Sequence, residues 1–274
     1  MPEGHTIHRQ ATELRRGFGG GPVAVSSPQG RFEAGAALLD GRVLAKAEAN
    51  GKHLFLGFSN EAGHKPQSWL HVHLGLIGSW TFGPLAAGQP PPARGAVRVR
   101  LVGENEYADL RGPTVCEVLT THDVTTVRAR LGADPLRKDA DHVRAGQRIL
   151  KSKVPIGALL MQQEVVAGVG NVYRAETLFR ARINPWTLGK DLDQGTWDAL
   201  WADLVLLLKD GVKRGRIVTT LPQDRDRRSG PASREDAHYV YRRTGLPCRI
   251  CGTPVVTEPM VGRNLYRCVV CQTG

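Results

Sequence analysis

The sequence predicts a multidomain α+β protein in three parts: a β-rich N-terminal part with a leading helix, a helical middle part, and a small cysteine-stapled module. Three observations predict it. Short apolar runs broken by Gly, Pro and Asn fill residues 23–119, helical spacing takes over after about residue 122, and two C-x-x-C pairs follow at 248–271.

The leading helix is predicted over residues 2–18, where Ile7, Ala11, Leu14 and Phe18 share one face and Gly19-Gly20-Gly21-Pro22 stops it. Strands are predicted at 42–47, 53–58, 69–73, 79–82 and 97–102, with a turn-rich connection at 83–95; so many short strands between turn signals suggest a sandwich or a barrel. Helices are predicted at 124–131, 141–150, 156–166, 172–181 and 196–212. Residues 222–238 contain Asp-Arg-Asp-Arg-Arg-Ser-Gly-Pro-Ala-Ser-Arg-Glu-Asp and offer almost nothing to bury, which predicts a mobile loop. No internal repeat is visible.

At 274 residues, 41% hydrophobic and 23% charged, the chain has a globular balance, and a mainly disordered protein is excluded. It has no apolar run near the ~18 residues of a membrane span and no basic-then-apolar leader. A soluble, cytoplasmic protein without a membrane partner is expected. The net charge of +11 is uneven: residues 1–142 carry 16 basic and 14 acidic side chains, residues 143–274 carry 21 and 12. A basic half of this kind suits a polyanion, nucleic acid being the commonest.

Cys248 and Cys251 form one C-x-x-C pair, Cys268 and Cys271 another, with sixteen residues between them. Reduced intracellular thiols at this spacing match a zinc ribbon or finger, each pair giving two thiolates to one tetrahedral Zn²⁺. Four protein ligands close the coordination shell, so one structural zinc per chain is expected. Cys116 reads as a buried strand residue.

Several residues carry possible chemistry. Met1 precedes Pro2, a small residue after which the initiator methionine is normally trimmed, leaving a secondary amine. An α-amine has a reference pKa near ~8 against about 10.4 for lysine, so far more of it is unprotonated at neutral pH and able to form an imine. Glu3 adds a carboxyl group for proton transfer, although Glu is also favoured early in any helix. Gly168-Val169-Gly170-Asn171, between two helices, is either an ordinary corner or a phosphate-binding turn with Asn171 as cap. Lys52 enters a strand from a turn and Arg263 sits at a hairpin tip; each is either a solvated cation or a phosphate contact. His71 and His73 share a strand face, with few further ligands nearby for a metal.

Taken in order, Pro2-Glu3-Gly4, Gly51-Lys52-His53, His73-Leu74-Gly75-Leu76, Gly168-Val169-Gly170-Asn171-Val172-Tyr173 and the terminal C-x-x-C pairs resemble the formamidopyrimidine-DNA glycosylase/endonuclease VIII family over essentially the whole chain. The resemblance implies an N-terminal β-sandwich (1–121), a helical domain with a helix–two-turn–helix motif (122–244) and a zinc finger (245–274). It implies a bifunctional DNA glycosylase and abasic-site lyase of base excision repair, with damaged DNA as partner. Pro2 becomes the nucleophile at C1′ of the damaged nucleotide, Glu3 the acid/base and Lys52 the supporting lysine. His73, Asn171 and Arg263 grip phosphates, Leu76 is an apolar wedge in the vacated stack, and the four cysteines hold zinc. A monomer acting in the cytoplasm at the nucleoid is expected.

Departures point to one branch. The formamidopyrimidine branch carries Asp-Pro-Arg-Arg-Phe; here Asp109-Leu110-Arg111-Gly112-Pro113 stands there, without the Phe. The start and the Asn171 segment look more like endonuclease VIII, implying oxidised pyrimidines as substrates. Gly157 stands where the family often has a lysine, leaving Lys151 or Lys153 to supply that phosphate contact. Residues 222–238 occupy the place of a lesion-covering loop in some relatives. Two other readings fit the same residues: an abasic-site lyase with little glycosylase activity, and a non-catalytic zinc-dependent binder of damaged DNA.

Overall fold

Helix α1 (Gly4–Phe18) buries Ile7, Ala11, Leu14 and Phe18 along one stripe, as their spacing requires. That stripe closes the core of a β-sandwich. The computed structural model describes residues 2–86 and 88–273 and divides into two compact units, residues 1–130 and 131–274.

The first unit stacks two antiparallel four-stranded sheets. One has the order β1 (Ala24–Ser26), β6 (Val97–Val102), β7 (Glu106–Arg111), β5 (Ser79–Pro84); the other runs β2 (Val43–Asn50), β3 (His53–Ser59), β4 (Ser68–His73), β8 (Val115–Thr120). Leu54, Leu56, Leu70 and Val72 from the second sheet meet Val99, Leu101, Ala108 and Leu110 from the first, with Leu14 and Phe18 of α1 among them. Strand β3 is buried on both faces, which explains its nearly continuous apolar run: Phe55 turns away from the main core and packs with Trp69 and Val124 under helix α3 (Thr121–Ala129). Strands β1, β7 and β8 and a short helix α2 (Glu33–Leu39) were not singled out by period alone. Asp109, in the run that departs from the family pattern, is a buried carboxylate held by Arg100 Nε (2.7 Å) and Nη2 (2.9 Å) and by Arg111 Nη2 (2.9 Å).

The second unit packs α4 (His142–Leu150), α5 (Ile156–Leu159), α6 (Asn171–Arg180) and α7 (Gln194–Arg214) around Ile149, Leu160, Tyr173, Trp197, Leu200 and Leu204. Residues 171–179 of α6 are all buried, because the far side of the helix forms a second core: Ala175 and Phe179 pack with Tyr239, Val240, Cys248, Val255 and Cys268. The cysteine module therefore rests on α6. Its hairpin joins β9 (Val256–Met260) to β10 (Arg263–Arg267).

Two expectations need correction. The helix expected over 156–166 stops at Leu159, because the Gln163 carbonyl accepts from Gly132 N (2.9 Å) and the Gln163 amide bridges Gly168 N (3.0 Å) and Val169 O (2.9 Å). The chain leaves the helical path to build the corner before α6. Residues 222–238, expected to be a mobile loop, are framed at their base: Tyr239 Oη donates to Asp224 (2.6 Å), Arg225 is buried with Nη2 on Thr220 O (2.6 Å), and Asp236 is buried among backbone N–H groups. Among the described residues no helix is long and apolar enough to cross a membrane.

Glu176, fully buried on α6, ties this region down. Its carboxylate accepts from the N–H groups of Tyr239 (2.8 Å), Val240 (2.9 Å) and Tyr241 (2.8 Å) and from the Thr219 hydroxyl. Glu176→Ala strands three buried backbone donors, and urea denaturation should show a loss of about 3 kcal/mol or more. A loss under about 1 kcal/mol would mean water replaces the carboxylate there.

Candidate active centre and nucleic-acid interface

The reacting end of the first unit is set by α1. Glu3 occupies its N-cap with extended backbone, its carbonyl accepts from Thr6 N (2.9 Å), and its side chain is fully buried; Pro2 precedes it, half-buried. The C-terminal end of α1 is tied to the start of β2, where Gly20 N donates to Leu44 O (3.0 Å). A helix of fifteen residues is about 22 Å long and an eight-residue strand about 26 Å. Helix α1 packs against β2, the strand it is tied to at Leu44, and the two lengths match.

Lys52 lies in that turn. Asn50 pairs with His53, leaving Gly51-Lys52 as a two-residue hairpin whose first position has φ +60°, a geometry that selects glycine. His53 pairs in turn with His73 on β4. Lys52, His53 and His73 thus form one corner, and Leu76 follows two residues beyond Leu74. Leu76 is 56% exposed and its neighbour Ile77 84%, an apolar pair on the β4–β5 turn between Gly75 and Gly78. Gly112, where the family run carries bulk, faces Ile77, so these two side chains are the apolar tip here. Sequence reasoning found Leu76 and missed Ile77; the signal was a second large apolar residue inside a turn bounded by glycines.

The histidines form a directed relay rather than a metal site. His71 Nδ1 lies 2.9 Å from Glu117 Oε1, and His71 Nε2 lies 2.8 Å from His53 Nδ1. A carboxylate only accepts, so His71 carries its proton on Nδ1 and accepts on Nε2, and His53 donates from Nδ1. His73 Nδ1 accepts from Gly75 N (3.1 Å), leaving its Nε2–H as an outward donor of the kind a phosphate takes. Burial pushes His53 down to about 3 and His5, in the first turn of α1, down to about 4; both are neutral at neutral pH. Burial likewise pushes the half-buried Cys116 thiol up to about 12, consistent with an inert strand residue.

In the second unit, Gly168 (φ +92°) and Gly170 shape the corner before α6, and no side chain caps that helix. Asn171 is its first residue, not its cap. The Asn171 amide donates to Asn264 O (2.9 Å) and its oxygen accepts from Arg174 Nη2, which fastens the β9–β10 hairpin beside the corner. Arg263 follows the turn Val261-Gly262, in which both residues have positive φ (+53° and +64°). Arg174, fully buried, also directs Nη1 at Gly157 O (3.4 Å) and Met260 O (3.5 Å). The buried Arg174 thus bonds backbone at the Gly157 position, while Lys151 and Lys153 are exposed; an arginine three residues after Asn171 on one helix face was the available signal for the Asn171–Arg174 pair.

The four cysteines converge. Their sulfurs lie within 4.8 Å of one another, with Cys248–Cys271 at 3.9 Å and Cys251–Cys268 at 3.4 Å. Tetrahedral thiolates at about 2.3 Å from a metal stand about 3.8 Å apart, so this donor set fits one soft or borderline cation. Among the described residues no other cluster of three or more such ligands is found.

Two family models match the chain: the formamidopyrimidine-DNA glycosylase N-terminal domain over residues 1–116 and the formamidopyrimidine-DNA glycosylase H2TH domain over residues 131–223. The chain is 50% identical over 275 residues to Endonuclease 8 1 of Mycobacterium tuberculosis, covering all of both. It is 30% identical over 277 residues to the formamidopyrimidine-DNA glycosylase of Thermus thermophilus, covering 99% of this chain and 97% of that one. Its fold is similar to that of Lactococcus lactis Fpg in a complex with DNA containing N7-benzyl-Fapy-dG, with a TM-score of 0.80 at 21% identity over the whole of both chains.

The buried neutral histidines fix the sign of an acid effect. Unfolded imidazoles bind protons below about pH 6.5, whereas His5 and His53 do so only near 4 and 3, so in that window the unfolded chain holds more protons. Folding stability should fall between pH 6.5 and 5, by on the order of 1 kcal/mol per pH unit for each such histidine. Equal urea midpoints at pH 7.5 and 5.0 would contradict it, and His5→Phe should flatten the slope.

Proposed function

The chain belongs to the formamidopyrimidine-DNA glycosylase/endonuclease VIII family, and on that premise we propose a base-excision-repair glycosylase with abasic-site lyase activity whose nucleophile is the nitrogen of Pro2. The observation that carries this reading is Glu3, a fully buried carboxyl group at the N-cap of α1, directly after Pro2; run back along β2, α1 would carry both toward the turn that holds Lys52. Trimming of Met1 frees the amine. Its lone pair attacks C1′ of an extruded nucleotide, the glycosidic bond breaks, and the base leaves with a proton. Glu3 assists opening of the sugar by delivering a proton and takes one back during imine formation. The resulting iminium acidifies C2′; loss of that proton expels the 3′ phosphate, and a second elimination expels the 5′ phosphate. Lys52 supplies a cation beside the phosphates.

His73 Nε2–H, Asn171 and Arg263 serve as phosphate contacts, with Arg174 supporting Asn171, and Leu76 with Ile77 fills the vacated stack. The missing Phe of the formamidopyrimidine branch and the 50% identity to an endonuclease 8 favour oxidised pyrimidines as lesions. The four thiolates suit a structural Zn²⁺ that holds the β9–β10 hairpin and so aims Arg263. The enzyme acts as a monomer on chromosomal DNA in the cytoplasm.

Borohydride reduction with an abasic duplex tests the chemistry. The trimmed protein should give a covalent adduct, and protein made to retain Met1 should give none; an equal yield from both removes Pro2 as nucleophile. A duplex with thymine glycol or dihydrouracil should be nicked at a rate comparable to the abasic one; nicking of the abasic duplex alone would leave a lyase. Arg263→Ala should lower the slope of log Kd against log salt by about 0.9. An unchanged slope and affinity would remove its phosphate contact.

A further inference from the structure

Residues 222–238 balance four basic against four acidic side chains, so their sequence shows no electrostatic preference. The fold sorts these charges. Asp224 accepts from Tyr239 Oη (2.6 Å), and Asp236 is buried, accepting from Asp226 N (3.1 Å) and Ser233 Oγ (3.1 Å). Arg225 is turned inward onto Thr220. Arg227, Arg228 and Arg234 are left exposed around Ser229-Gly230-Pro231, against the exposed Asp226 and Glu235, so the outer face is net positive.

The hub of this sorting lies outside the segment, between two of the metal-ligand positions. Arg249 stands between Cys248 and Cys251, yet its side chain is only 3% exposed. Its Nη2 lies 3.2 Å from Asp236 Oδ1 and donates to Glu235 O (2.9 Å). Its Nε donates to His238 O (3.2 Å), and Nη1 reaches Asp224 O (3.4 Å) and Asp226 Oδ2 (3.4 Å). One guanidinium thus holds both limbs of the segment by their carbonyls and pairs with the buried carboxylate of Asp236, while Asp226 stays exposed.

We infer that Arg249 is the positioning residue of an arginine arm, Arg227, Arg228 and Arg234, that contacts DNA phosphates, and that metal binding by the flanking cysteines fixes the arm through it. The physical argument is short. A C-x-x-C turn bound to a metal has a fixed backbone, so the side chain between its ligands leaves from a fixed point. Without the metal, Arg249 loses that anchor, its pair with Asp236 loosens, and that carboxylate returns among the arginines. The arm then presents a balanced charge to a polyanion in place of a cationic one. The DNA half of the inference rests on the proposed glycosylase reading; the link from Arg249 to the segment does not.

Two measurements on the metal-loaded full chain test it. Hydrogen exchange over 224–238 should rise at least tenfold in Arg249→Met and less in Arg249→Lys, which keeps the charge but loses the fork, while peptides of the first unit keep their exchange. Removing the metal with a chelator under reducing conditions should raise exchange over the same segment. Unchanged exchange over 224–238 in Arg249→Met overturns the positioning role, even should the chelated protein unfold as a whole. Unchanged exchange after verified metal loss overturns the metal coupling. Binding to a duplex with a tetrahydrofuran abasic analogue, followed across salt, gives the second readout. The triple Gln variant of Arg227, Arg228 and Arg234 should lower the salt slope by about 2.7, and Arg249→Met by about 1 or more although Arg249 itself is buried. A slope unchanged in the triple variant overturns the arm as a DNA contact. Absence of any salt-dependent DNA binding by the parent chain would instead sink the glycosylase reading, with the exchange data still deciding the role of Arg249.

Discussion

The covalent role proposed for Pro2 requires that the residues before α1 be held still, and the restraint is the apolar stripe of α1 in the sandwich core. Ile7, Leu14 and Phe18 are each at most 3% exposed. Burying three such side chains is worth on the order of 5 kcal/mol, enough to keep the helix from fraying off the sheet. The order that follows is inherited by the residues before the helix. Glu3 is buried because α1 is docked, and Pro2 is placed because Glu3 is. The β2–β3 turn that carries Lys52 belongs to the same sheet, so the proposed nucleophile and its supporting cation share one rigid support.

Buried ionic groups do a similar task in both units. Asp109 gathers Arg100 and Arg111 in the sandwich, Glu176 gathers the 239–241 backbone, and Arg249 gathers the 224–238 segment. Each is a charge surrounded by partners, so removing one partner costs more than forming the pair gains. Such groups specify where a loop must lie. In this chain the loops so specified are those that carry arginines or adjoin the apolar Leu76–Ile77 tip.

Much of the fold was legible from period and punctuation. The α1 stripe, the strand at 53–58 and the glycine corner before α6 all read correctly because each is a local pattern. The helix expected over 156–166 failed where the Gln163 carbonyl is claimed by Gly132, a residue distant in sequence. Residues 222–238 read as solvated because alternating charges look soluble; the partner that orders them, Arg249, comes eleven residues after His238. The same limit hid the Glu117–His71–His53 relay, which exists only through strand register. Pro2 and Glu3 were legible solely through the order of motifs along the chain, since a Met-Pro start and an early Glu are each common.

Peptide mapping of the borohydride-reduced adduct tests the central claim most directly. After nuclease trimming and proteolysis, tandem mass spectrometry should find the sugar remnant on the backbone nitrogen of Pro2, in a peptide that begins at that residue. A remnant on Nζ of Lys52, or on a peptide still beginning with Met1, would contradict the account.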